Sequence, residues 1–226
     1  EGDQTVKIGV IDIPAFYIDF EAMRRGDEDY KSTTRDVRKL AVGQVVYSAM
    51  CYEHGGMLDD GTLLRLGPDT FRWIGGEDYA GIWLREQAQK LGMKVWIKSA
   101  SEQIHNIAVQ GPRSRELLQQ LIWTPATQPA LAELGWFRFL LGRLDDYNGC
   151  PLMVSRTGYT GERGYEIFCK AADAPLLWDS ILEKGRTLGI IPCAFTALDW
   201  LRVESYLLFF PYDNSEKYPF ADQPAG

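Results

Sequence analysis

Acidic side chains set beside tyrosines, in two widely separated glycine-bearing segments, are the residues of this chain best placed to do chemistry. One segment is Ser155-Arg156-Thr157-Gly158-Tyr159-Thr160-Gly161-Glu162-Arg163-Gly164-Tyr165-Glu166, directly after the apolar run Pro151-Leu152-Met153-Val154. Gly158, Gly161 and Gly164 permit sharp turns and the close approach of a backbone to a ligand. The run reads as strand, glycine-rich loop, strand. Such a loop projects aromatic faces and a carboxylate from a rigid base, which suits a flat, polar, heteroaromatic ligand.

The other segment is Val45-Val46-Tyr47-Ser48-Ala49-Met50-Cys51, then Tyr52 through Asp60. Residues 45–51 carry the β-branched, aromatic and apolar content of a strand. His54-Gly55-Gly56 is a turn signal, and Met57-Leu58 opens a second strand that continues through Leu63–Leu66. A β-hairpin follows, with Asp59-Asp60 inside its second strand. Adjacent strand residues point to opposite faces, so one aspartate faces solvent and the other the interior or a cleft. An inward carboxylate is costly unless it is paired or bound. The plainer alternative is a solvated hairpin end.

The elements that would hold these segments can be read by periodicity. Val6–Ile13 is a strand candidate, and residues 19–36 are charged enough for a short helix and a solvated loop. Ile82, Leu84, Ala88 and Leu91 mark the inner face of a helix over 77–91, stopped by Gly92. Strands are expected at 95–98, 104–109 and 136–141. Pro112 suits the first turn of a helix to about Ile122, with Leu117, Leu118 and Leu121 inward. Asp173 is expected to cap a helix over 174–188 that buries Trp178, Ile181 and Leu182, and another helix covers 196–208. Asp199 and Arg202 on it form an i,i+3 ion pair of structural kind. Trp73, Trp83, Trp96 and Trp178 read as core. The pattern is α+β, mainly antiparallel sheets with packed helices, in two pseudo-repeated subdomains over 1–111 and 112–213, followed by a surface tail at 214–226.

Composition narrows the function classes. With 226 residues, 46% hydrophobic and 24% charged, the chain is long enough for a sizeable core. Its net charge is −7 and it has no Lys/Arg run, so nucleic acid is not an expected partner. No apolar stretch approaches the roughly 20 residues of a spanning helix. The acidic N-terminus lacks secretory features, so a cytoplasmic protein without a membrane partner is expected. Cys51, Cys150, Cys169 and Cys193 form no C-x-x-C pair and there are only two histidines, so no metal site is expected. Cys51 and Cys169 read as buried structural thiols, and His54 as an exposed turn residue.

Tyr47-Ser48-Ala49-Met50-Cys51, Gly55 through Asp60, Val109-Gln110-Gly111-Pro112, Ser155 through Glu166 and Leu198 through Glu204 together resemble the folate-binding part of the glycine-cleavage T-protein (aminomethyltransferase) family. That family includes related folate-dependent demethylases. The resemblance covers most of residues 35–210. It implies two α/β subdomains that enclose tetrahydrofolate, and a C-terminal β-barrel that this sequence stops short of. It implies that Glu166 reads the pterin edge and that Tyr47 and Tyr159 line the pocket. Asp60 would be the catalytic carboxylate, stabilising positive charge on nitrogen and handling protons. The two segments would then converge on one slot.

The implied reaction is tetrahydrofolate-dependent one-carbon transfer of the aminomethyltransferase type, with a small-molecule donor or a lipoyl carrier protein as partner. The alternatives are an O-, N- or S-demethylase of the same family and a non-catalytic folate-binding module. Residue by residue, the plain readings are packing for Tyr47, a surface aromatic for Tyr159 and a surface strand for Glu166. Three positions depart from the family pattern: Gly75 stands in place of Asn, Leu198 in place of Arg, and the aromatic expected after Glu204 is displaced to near Tyr206; these suit a different donor and equally a protein that has lost activity.

Overall fold

The computed structural model describes residues 40–52 and 56–213. The strand expected at 6–13, the charged segment at 19–36, His54 and the tail at 214–226 lie outside the described residues. The described chain forms two compact units, one of residues 40–52, 56–99 and 208–213, the other of residues 100–207. Both are α+β and their sheets are antiparallel, as the sequence implied.

The first unit is a three-stranded meander, β1 (Val45–Cys51), β2 (Met57–Gly67) and β3 (Thr70–Gly75), with helix α1 (Tyr79–Lys90). The hairpin is closed by the Tyr52 amide on the Gly56 carbonyl at 2.8 Å. Met50 pairs with Asp59 but Cys51 pairs with Met57, so Leu58 is an extra residue in β2. Such a bulge breaks the two-residue alternation. Leu58 and Asp59 are therefore both buried although adjacent. Leu58 packs with Ala80, Trp83, Met50, Tyr52 and Trp73.

Helix α1 buries Ala80, Trp83, Gln87 and Ala88, while Ile82 and Leu91 are exposed. The expected inner face is thus rotated, because the large Trp83 ring sits edge-on to Tyr52 at 5.1 Å and takes the inward position. Gly92 ends the helix at φ 63°. Residues 95–98 pair with no strand and Trp96 is exposed, against expectation; an isolated apolar alternation does not supply a partner strand.

The second unit is a five-stranded sheet in the order β4-β8-β7-β6-β5: β4 (Ile104–Gln110), β5 (Ile122–Trp123), β6 (Phe139–Leu144), β7 (Pro151–Ser155) and β8 (Gly164–Lys170). β4, which precedes residue 111, pairs along its whole length with β8, from Ile104↔Lys170 to Gln110↔Gly164. Helices α2 (Ser114–Leu118), α3 (Ala174–Gly185) and α4 (Phe195–Glu204) complete the unit. Val109, Val154, Tyr165 and Ile167 share a core with Leu118 of α2 and Leu177 of α3.

Leu117, Leu118 and Leu121 are buried as expected. The helix they mark stops early because the chain turns into β5, where Ile122 pairs with Leu144. The strand expected at 136–141 begins only at Phe139, because Phe137 takes φ 52°. In α3 the inward residues are Leu177, Ile181 and Gly185, and Trp178 is left exposed. Asp173 precedes α3 without a side-chain capping bond. On α4, the buried Arg202 binds the partly exposed Asp199 at 2.7 Å, the i,i+3 pair expected. Burial pushes the thiols of Cys51 and Cys169 above their usual range. Among the described residues no helix is long and apolar enough to cross a membrane.

Candidate functional site

Two acidic clusters emerge, one in each unit, and each follows from strand geometry. In the first unit, Ala49 pairs with Asp60 and Tyr47 with Thr62, so Tyr47 and Asp60 lie diagonally on one face of the hairpin. The Tyr47 hydroxyl donates to Asp60 Oδ2 at 2.5 Å. Asp60 is half-buried. Desolvation raises its carboxyl above the ordinary aspartate range, the Tyr47 hydroxyl pulls it back down, and the neighbouring Asp59 raises it again.

Asp59 points to the opposite face and is fully buried. It accepts hydrogen bonds from the Asp60 amide at 2.9 Å, Trp73 Nε1 at 3.1 Å and the Gly76 amide at 3.2 Å. Trp73 reaches it because Leu63 pairs with Trp73, which puts residues 59, 61, 63 and 73 on one face. A Cβ at Gly75 would collide with Asp59 Oδ2 and Trp73 Nε1. The Gly75 noted in the sequence is therefore required by the seating of Asp59. The two aspartates thus divide as the alternation predicted: one locked inside by nitrogen donors, the other beside a phenol.

In the second unit, Ser155 pairs with Glu166, and Ala108 pairs with Glu166 from the other side. Val109, Tyr165, Ile167 and Val154 point into the core. Ser155, Glu166 and Asn106 therefore share the other face of the sheet. Asn106 Nδ2 donates to Glu166 Oε1 at 2.8 Å, and the Thr157 hydroxyl donates to Glu166 Oε2. Thr157 Oγ1 also lies 2.9 Å from Ser155 Oγ. Tyr159 sits half-buried on the loop between β7 and β8.

Two glycines of that loop make room for a side chain that braces it. A Cβ on Gly158 or on Gly164 would strike the Gln110 side chain. Gln110 Nε2 donates to the carbonyls of Thr157 at 3.3 Å and Tyr165 at 3.1 Å, bracing both ends of the loop. Gly161 takes φ 71°, which a glycine adopts without strain. The loop is further held by Ser205 Oγ on the Thr160 carbonyl and Ser114 Oγ on the Arg163 carbonyl, both at 3.1 Å.

This bracing gives a first prediction. Gly164→Ala pushes a methyl into the Gln110 amide and should cost about 2 kcal/mol of stability in urea denaturation. An unchanged midpoint would show that the loop relaxes without using Gln110.

The sequence named Tyr47, Asp60, Tyr159 and Glu166. The structure joins Tyr47 to Asp60 and surrounds Glu166 with residues the sequence did not single out: Asn106, Ser155 and Thr157. Thr157 was within reach of sequence reasoning, since it follows Ser155 by two residues and so continues that strand's face. Asn106 was not, because its meeting with Glu166 depends on the β4–β8 register.

The model of the GCVT N-terminal domain family matches residues 30–222. The chain belongs to this family. Among GCVT-domain relatives it is 56% identical over 184 residues to a trimethylamine-oxide aldolase of Ruegeria pomeroyi, covering 81% of this chain and 23% of that protein. It is 50% identical over 198 residues to a heme-dependent oxidative N-demethylase gamma subunit of Ectopseudomonas mendocina, covering 88% of this chain and 49% of that protein. The chain thus spans from just under a quarter to about half the length of these relatives. The structure of the glycine cleavage system aminomethyltransferase T from Bartonella henselae superposes with a TM-score of 0.60 at 27% identity, over 76% of this chain and 43% of that one. The GCVT fold accounts for the α+β architecture.

Proposed function

We propose that this GCVT domain binds tetrahydrofolate and serves the transfer of a one-carbon unit onto it. The observation that carries this reading is the Glu166 carboxylate. Each of its oxygens spends one lone pair on Asn106 or Thr157 and keeps acceptor capacity. An amino-pyrimidine edge offers two parallel N–H donors, and a carboxylate accepts both. Tyr159, on the adjoining loop, supplies flat contact area, as Tyr47 does beside Asp60.

When bound, the folate supplies the two nucleophilic nitrogens. Asp60 acts on the protons. Asp60 would accept the proton released when a nitrogen bonds to a carbon at the aldehyde oxidation level, and would return one to the departing oxygen or amine. A carboxyl raised above the ordinary aspartate range by burial gives up and takes back a proton more evenly than an exposed aspartate. Its anion also stabilises positive charge on nitrogen.

The donor follows from two names. One relative is named for trimethylamine oxide and the other for oxidative N-demethylation. Oxidising an N-methyl group leaves its carbon at the aldehyde level, so the aldehyde released from an already oxidised N-methyl amine is the proposed source. Aminomethyl transfer from a lipoyl carrier protein is the second reading, supported by the aminomethyltransferase whose fold the chain shares.

Titration with folinic acid tests the binding claim. Glu166→Ala should weaken the complex about a hundredfold, since it removes a charged acceptor from two donors. Equal affinity in the variant removes the pterin assignment. Incubating the intact protein with tetrahydrofolate and either formaldehyde or an aminomethylated lipoyl carrier separates the donors by which one yields methylene-tetrahydrofolate faster than the same mixture without protein.

A further inference from the structure

We propose that Thr157, backed by Ser155, is a positioning residue for Glu166 and thereby sets which ring edge the carboxylate accepts. The proposal rests on the pterin-edge reading above. Thr157 is 4% exposed and Ser155 1%, so neither hydroxyl turns to water for a partner. Thr157 has one hydroxyl proton and two neighbours within reach, Glu166 Oε2 and Ser155 Oγ. An ionised carboxylate only accepts. The Thr157 proton therefore goes to Glu166, and Ser155 must donate to Thr157. The three side chains form a one-way chain, Ser155 to Thr157 to Glu166.

Asn106 holds the other carboxylate oxygen at 2.8 Å. Glu166 is thus fixed at both oxygens before any ligand arrives. A free glutamate gives up substantial rotamer freedom when it is ordered, and a pre-set one has less to lose. The fixed plane also sharpens selection. An edge that lacks one of the two donors leaves a lone pair facing nothing, and a carboxylate held in place cannot swing to water to satisfy it.

The backbone at Thr157 is held separately, through Gln110 Nε2 on its carbonyl. Removing the hydroxyl should therefore leave the loop in place. Thr157→Val keeps the shape and deletes the donor. In the intact protein it should weaken folinic acid about tenfold. It should leave binding of the 2-desamino analogue within about twofold, because that ligand does not make the second hydrogen bond. Thr157→Ser restores the donor and should return both affinities to within about twofold of wild type. Ser155→Ala removes the backing hydroxyl and should cost folinic acid about threefold.

The outcomes separate the two claims. No loss in Glu166→Ala overturns the pterin-edge reading itself. A loss in Glu166→Ala with wild-type affinity in Thr157→Val overturns the positioning role and leaves that reading intact. Equal losses for folinic acid and its 2-desamino analogue overturn it too, as does failure of serine to rescue. Should circular dichroism show Thr157→Val unfolded, the Ser155→Ala affinity decides, and wild-type binding there counts against the chain.

Discussion

Asp60→Asn should abolish turnover while sparing the fold. A loss of at least about a hundredfold in kcat is expected for a group that moves protons in the transition state. Asparagine still accepts from the Tyr47 hydroxyl, so the hairpin face is preserved. Folinic acid affinity should stay within about threefold, because Asp60 is assigned to the proton and not to the pterin edge. Full turnover in the variant would remove Asp60 from the chemistry.

The same substitution has a stability signature with a defined sign. Burial raises the Asp60 carboxyl above its unfolded value. The native state then holds that proton more tightly than the unfolded chain. Wild-type stability falls as pH rises from the ordinary aspartate range, about 3.9, through the raised native value, and levels off beyond it. Asparagine has no such titration. The variant should therefore gain on the wild type across that window and keep a constant advantage above it. A wild-type advantage that grows with pH would mean that Tyr47 outweighs desolvation.

Asp59→Ala should be the most destabilising single change at the hairpin, about 4 kcal/mol in urea denaturation. It deprives the Trp73 indole, the Asp60 amide and the Gly76 amide of their acceptor and leaves a cavity where the buried carboxylate sat. Asp59→Asn keeps the volume and one acceptor but turns an amide donor toward N–H groups, and should cost about half as much. A loss below about 1 kcal/mol for alanine would show that water replaces the carboxylate. The neighbouring aspartates are thus separable by experiment: one variant should lose activity and keep its stability, the other should lose stability.

The strands around both clusters were legible where apolar alternation ran between turn residues. β1, β2, β4, β7 and β8 lie where the residues indicate. Failures cluster where a local pattern competes with a tertiary contact. Trp83 rotates α1 by taking the inward place beside Tyr52, and Trp178 is left outside because Leu177 and Ile181 fill the core of α3. Residues 95–98 have strand composition without a partner. Four tryptophans read as core behave as three different things: Trp83 is buried, Trp73 is half-buried as a hydrogen-bond donor to Asp59, and Trp96 and Trp178 are exposed.

By itself the sequence established the family, the two glycine-bearing segments and the acidic and phenolic residues within them, because these depend on residue type and on spacing along one strand. Strand alternation also required the paired aspartates to face apart. Only the tertiary structure decided which was locked inside, that Leu58 forms a bulge, that Gly158 and Gly164 make room for Gln110, and that Asn106 and Thr157 grip Glu166. Those facts are set by the register between strands distant in the chain. A shift of one residue exchanges the two faces of a strand, and nothing local to residues 106 or 166 specifies that alignment.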